Sequence, residues 1–199
     1  VAKLEERALT AVSMAFPIQN LLIAVSAGTC VGVNALLSRS LGAGNREDAQ
    51  KAAVNGIFLA ILGAVCFGLF GLFGSRLYFA SQTDDATIIE YGVQYLSICL
   101  IFSFGIFLEI VFERILQSTG RTIYNMYSQG IGAITNIVLD PILIFGLYGF
   151  PALGIRGAAI ATVCARLVEL IWSYLETKRP GHVRVMWGGI LRKVDGMLR

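Results

Sequence analysis

Long apolar runs alternate along the chain with short polar connections, and the length of the runs decides what they are. They cover residues 12–37, 53–73, 93–112, 123–147 and 157–174. Each is close to the ~20 residues that a helix needs to cross the hydrocarbon core of a bilayer. The pattern therefore predicts five membrane-spanning helices. The second run contains no ionisable residue at all. A membrane β-barrel would show alternating segments of ~10 residues, which this sequence lacks.

Composition agrees with the pattern. The 199 residues are 56% hydrophobic and 15% charged, against about 25% charged in soluble domains, and the mean hydropathy is +0.70. The fold class is all-α, a polytopic bundle of about five transmembrane helices. An uneven set of spans, and a start at Val1 without a signal-peptide pattern, lead us to expect a piece of a longer protein, since many transporters are built from repeated halves. Cys30, Cys66, Cys99 and Cys164 fall in different runs without C-x-x-C spacing, so they read as small core residues rather than a metal or redox site. The lone His182 reads as solvated, and the net charge of +3 lies beside the spans. This is no nucleic-acid signature.

The connections carry helix punctuation. After Arg39, Gly42 and Gly44 suit a helix end, Asn45 suits an N-cap, and Glu47 and Asp48 fall where the next helix dipole favours acids. No strand precedes these glycines and no Gly-Lys-Ser/Thr follows, so they are not a phosphate-binding loop. Residues 75–91 read as an acidic loop with Asp84, Asp85 and Glu90, and Pro17 reads as the opening of the first span. Ser118-Thr-Gly120 echoes Ser40-Leu-Gly42, a hint of internal repetition. Arg39, Arg46, Lys51, Arg114, Arg121 and the basic residues of the tail share one face, which the positive-inside rule makes cytoplasmic. Residues 179–199 read as an amphipathic helix on an anionic leaflet, with Trp187, Ile190, Leu191, Val194 and Leu198 at helical spacing, or as a linker.

Against this apolar background the polar residues inside spans stand out. Asn136-Ile-Val-Leu-Asp140-Pro141 places an amide and a carboxylate four apart, on one helix face, next to a residue with no N–H. A charged group at mid-membrane costs about 3 kcal/mol, so such residues usually face a wet cavity and mark an ion or substrate path. Asp140 is therefore the leading ion- or proton-coupling candidate and Pro141 a hinge; a carboxylate that merely braces neighbouring helices is the plain alternative. Asp140 falls towards the outer half of its span, and Thr162, on the small face of the fifth run, is expected within its reach. Asn34, Gln129 and Glu109 form a second tier of cavity candidates. Glu109 reads equally as a proton-handling acid or an interhelical hydrogen bond, and Asn34 equally as helix glue. Glu113 and Arg114 are expected to pair near the membrane edge, and Arg166 to pair with Glu169 or Glu109. Gly28-x-x-x-Gly32 reads as a close helix contact. No nucleophile–base pair, metal cluster or cofactor loop suggests an enzyme.

Several stretches together resemble the multidrug and toxic compound extrusion (MATE) transporters. They are Ala15-Phe-Pro-Ile-Gln-Asn-Leu-Leu, Ala35-Leu-Leu-Ser-Arg-Ser-Leu-Gly-Ala-Gly-Asn, Glu113-Arg-Ile-Leu-Gln-Ser-Thr-Gly-Arg-Thr, Asn136-Ile-Val-Leu-Asp-Pro-Ile-Leu-Ile-Phe-Gly and Gly154-Ile-Arg-Gly-Ala-Ala-Ile-Ala-Thr. The resemblance implies twelve helices in two six-helix lobes and export of cationic drugs in exchange for protons or sodium. Residues 1–178 would be helices two to six of the amino-terminal lobe, and 179–199 the tail or the inter-lobe linker. It assigns the coupling site to Asn136, Asp140 and Thr162, with sodium possible at Asp140, and no cofactor beyond the coupling ion. The implied partners are small organic substrates, membrane lipids, and the first helix and second lobe of the same transporter, with no nucleic acid. The implied location is the plasma membrane, as a multi-pass protein. A lipid-linked oligosaccharide flippase of the same superfamily, which needs a more cationic cavity, and a non-transporting membrane fragment or assembly subunit are the alternatives.

Overall fold

Asn45 shows how directly the sequence sets an element boundary. Gly44 takes φ 71°, a left-handed conformation open to glycine. The Asn45 side chain then accepts from the backbone N–H of Asp48 at 3.2 Å, and Lys51 reaches back to Glu47 at 2.7 Å. A helix end, a turn and a helix start are thereby compressed into three residues.

The computed structural model describes residues 6–149 and 151–178, and the expected amphipathic tail lies outside them. Among the described residues the regular structure is helical: α1 (Glu6–Gly42), α2 (Arg46–Phe73), α3 (Ser75–Gln82), α4 (Ala86–Ile101), α5 (Phe104–Ser118), α6 (Ile123–Phe145) and α7 (Ile155–Thr177), with a 3-10 turn at Leu147–Gly149. Helices α1, α2, α6 and α7 are long and apolar enough to cross a membrane. Helices α4 and α5, bent by 44°, make a fifth crossing when taken as one span.

Three expectations need correction. Pro17 lies inside α1 rather than opening it, because Ala8 and Ala11 pack against Ile155 and the partly buried Ile88 and Tyr91, which hold the helix upstream of the proline. The acidic loop contains α3, whose Phe79 is fully buried over Gly92 while the Tyr78 hydroxyl donates to the Met14 carbonyl at 2.9 Å. The third span is broken at Phe102–Ser103, where the buried Ser103 hydroxyl donates to the Ala64 carbonyl of α2 at 3.3 Å. Ser103 and Gly105 in near succession are the local weakness that permits this bend.

The main core joins α1, α2, α4 and α5 through Leu22, Leu37, Ile57, Leu96, Leu100 and Phe112, with alanines at positions 49, 53 and 60 letting helices approach. The expected contact at Gly28 and Gly32 is not made, since nothing of the described chain comes within 4 Å of a Cβ at either. Of the four free thiols, Cys30 and Cys99 are core residues as expected, Cys164 is intermediate and Cys66 is exposed. Helix α2 shows a nearly uniform apolar surface, so its composition carries no signal for which positions face inward.

Candidate functional site

Helix α6 carries Asn136 and Asp140, both partly exposed, and continues through Pro141 to Phe145. Pro141 has no N–H to offer the Ile137 carbonyl. Gly146, at φ 72°, then ends the helix.

Helices α6 and α7 form an antiparallel hairpin with the most extensive contact in the chain. Its register is pinned at several points. The Leu143 carbonyl lies against Gly157 and the Glu169 carboxylate against Gly132, and the Ser128 hydroxyl sits 3.1 Å from that of Ser173. Interpolating between these contacts brings Asp140 level with Ile160 and Ala161, next to Thr162. The threonine is nonetheless not bonded to it. Its hydroxyl donates to the Ala158 carbonyl at 3.0 Å, beside the Tyr95 hydroxyl. Among the described residues no hydrogen bond joins Asp140 to Asn136 or Thr162.

Thr162 instead lines a cavity of about 300 Å³ between α1, α4, α5 and α7, at the lower end of the size range of small-molecule sites. Gln19 and Asn20 of α1, Tyr95 and Cys99 of α4, and Thr162 and Arg166 of α7 supply its polar groups. Phe16, Phe102 and Ile106 supply apolar wall. The Gln19 amide donates to the Tyr95 hydroxyl at 3.3 Å, tying α1 to α4 across it. Phe102 stands at the break between α4 and α5, so the bend that sequence reading missed shapes the cavity. Tyr95, Cys99 and Arg166 were missed too. The spacing of four between Tyr95 and Cys99 was visible, but which face of α4 meets α1 was not.

The second-tier candidates separate. Glu109 is buried together with Glu113 and Glu169, and the Gln129 amide donates to Glu113 Oε1 at 3.0 Å. Asn34 joins neither centre; its carbonyl oxygen accepts from Ser38 at 3.5 Å within α1. Glu113 and Arg114 do not pair, because Glu113 turns to α6 whereas Arg114 donates to Gln117 on its own helix. Arg166 does pair with Glu169, at 2.8 Å. Among the described residues no group of three His, Cys, Asp or Glu is placed to hold a metal ion.

Comparison with known proteins places this geometry in context. The family model MatE matches residues 1–142. A probable multidrug resistance protein NorM of Thermotoga maritima is 34% identical over 163 residues, covering 81% of this chain and 34% of that protein. An FAD transporter of Shewanella oneidensis is 30% identical over 170 residues, covering 85% of this chain and 38% of its own. Among solved structures, a MOP superfamily transporter from Pyrococcus furiosus, described as having a binding pocket of reverse polarity that suggests a different function, superposes with a TM-score of 0.85 at 29% identity over 96% of this chain and 42% of that one. The chain thus spans about a third of the length of the curated relatives it matches.

Proposed function

Because the chain belongs to the MatE family, we propose that the intact protein is a secondary active antiporter that exports drugs or other organic cations in exchange for protons or sodium. The observation that carries the reading is the position of Asp140: an intramembrane carboxylate beside a proline, level with Thr162 on the helix that walls the cavity. Intramembrane acids in such positions mark ion paths.

In this reading Asp140 is the coupling residue, Asn136 and Thr162 complete its site, and Pro141 is the hinge. Taking up a proton or a cation neutralises a costly charge, changes how α6 is held at Pro141, and favours the conformation that releases substrate outward. Asp140→Asn in the full-length protein tests it. Export from cells or vesicles is expected to lose its pH or sodium dependence together with most of its rate. Export with an unchanged ion dependence would remove Asp140 from the coupling role.

One observation favours a second reading of the substrate. Arg166 is the single charged residue among those lining the cavity, which suits an anionic or phosphate-bearing aromatic compound better than a cation, and one relative is named an FAD transporter. A flippase for lipid-linked sugars would ask for more cationic groups than this one. Offering the same vesicles an organic cation and an aromatic anion separates the readings by which one competes for export.

A further inference from the structure

Three glutamates unused by the coupling reading meet where α5, α6 and α7 converge. Glu109, Glu113 and Glu169 are 3%, 6% and 4% exposed. The Glu109 carboxyl faces Glu113 on its own helix, and Glu169 and Arg166 on α7. Arg166 is engaged by Glu169 at 2.8 Å, and the Gln129 amide of α6 occupies Glu113 Oε1 at 3.0 Å. From α1 the neighbouring titratable group is the Cys30 thiol, which also lies in the field of Arg114. Helix α2 meets α5 through Gly63 and Ala64, which carry no charge. Three carboxyl groups therefore share one guanidinium that already has a partner.

A separate observation at the same place points to a bound donor. Asn125 of α6 is 6% exposed; its amide nitrogen is anchored on the Glu113 carbonyl at 3.3 Å, and its oxygen is buried against the cluster without a hydrogen-bond partner. An acceptor left unsatisfied in a dry site is costly, and so are adjacent unpaired carboxylates. A proton resident in the cluster relieves both, because a protonated carboxyl donates where a carboxylate only accepts.

We propose that Glu109, Glu113 and Glu169 form a second proton-binding site in the cytoplasmic half of the helices, with Glu109 carrying the exchangeable proton and Arg166 linking the site to the cavity. Protonation adds one proton to the Glu109 carboxylate, which then donates to Glu113. When the proton passes to Glu169 instead, the Arg166 ion pair weakens and the guanidinium turns to the cavity it already lines. The site is distinct from Asp140, since Gln129 and Asp140 lie about three turns, or ~16 Å, apart along α6. Its purpose rests on the antiporter reading; its chemistry does not.

Infrared titration of the purified full-length protein, from about pH 6 to pH 8, tests the proposal, since a free carboxylate is ionised throughout that range. The wild type and Asp140→Asn are expected to keep a protonated-carboxyl band that Glu109→Gln removes. Glu113→Gln provides a second check should Glu109→Gln not fold: it replaces the acceptor of the proton and must shift the band. A band that survives Glu109→Gln, ignores Glu113→Gln, or vanishes with Asp140→Asn would overturn the proposal. Export measured on the same samples keeps the readings apart. A band without any export leaves the proton site and removes the antiporter, whereas export without a band does the reverse.

Discussion

Gly157 and Gly68 occupy similar apolar helices but do different work. A Cβ at Gly157 would strike the Leu143 carbonyl, a backbone atom that cannot swing aside, whereas at Gly68 the nearest atom is the Leu100 carbonyl at an ordinary 3.8 Å. Gly157→Ala is therefore expected to destabilise the protein by ~1–3 kcal/mol through overpacking. Gly68→Ala is expected to be neutral or stabilising by up to ~1 kcal/mol, from helix propensity. Denaturation midpoints of the full-length protein in detergent read both, and equal shifts would count against the α6–α7 contact. Legibility at this scale followed cost. Asp140 and Asn136 stood out because polar groups in an apolar run are expensive wherever they point. Tyr95 and Arg166 did not, because tyrosine is ordinary in a span and an arginine with a nearby glutamate reads as a simple ion pair.

At the scale of elements, the junction of α2 and α3 depends on two serines. The hydroxyls of Ser75 and Ser97 both donate to the Gly71 carbonyl, each at 2.9 Å. This carbonyl lies among the last four of α2, which lack a regular helical partner. Either serine alone satisfies the oxygen, so Ser75→Ala and Ser97→Ala should each cost well under ~1 kcal/mol, and the double variant ~1–3 kcal/mol. Additive losses in thermal unfolding would contradict that sharing. Helix ends at Asn45 and Gly146 were readable because caps are local chemistry. Helix α3 and the bend at Phe102–Ser103 were not, because Phe79 finds its place only over Gly92 and Ser103 only on the Ala64 carbonyl, residues distant in sequence.

For the whole molecule, the five crossings put the α1–α2 and α5–α6 connections, with their arginines, on one side of the membrane, and the α3–α4 connection on the other. A cysteine introduced at Ala43 should react with a membrane-impermeant maleimide only in inside-out vesicles, and one at Thr83 only in right-side-out vesicles. Reaction from the opposite sides would invert the topology, and with it the cytoplasmic placement of the glutamate cluster. The sequence by itself determined the membrane class, the five spans, their orientation and the family. Each of these follows from composition, segment length or local motif, which transfer energies read without regard to neighbours. Only the tertiary structure decided that Thr162 faces Tyr95 and Gln19 across a cavity, that Arg166 stands between that cavity and three buried glutamates, and that Asn34 belongs to neither. Those outcomes depend on how each helix is turned about its axis. That rotation is set jointly by small residues such as Gly132 and Gly157 on the partner surfaces, and no single segment carries it.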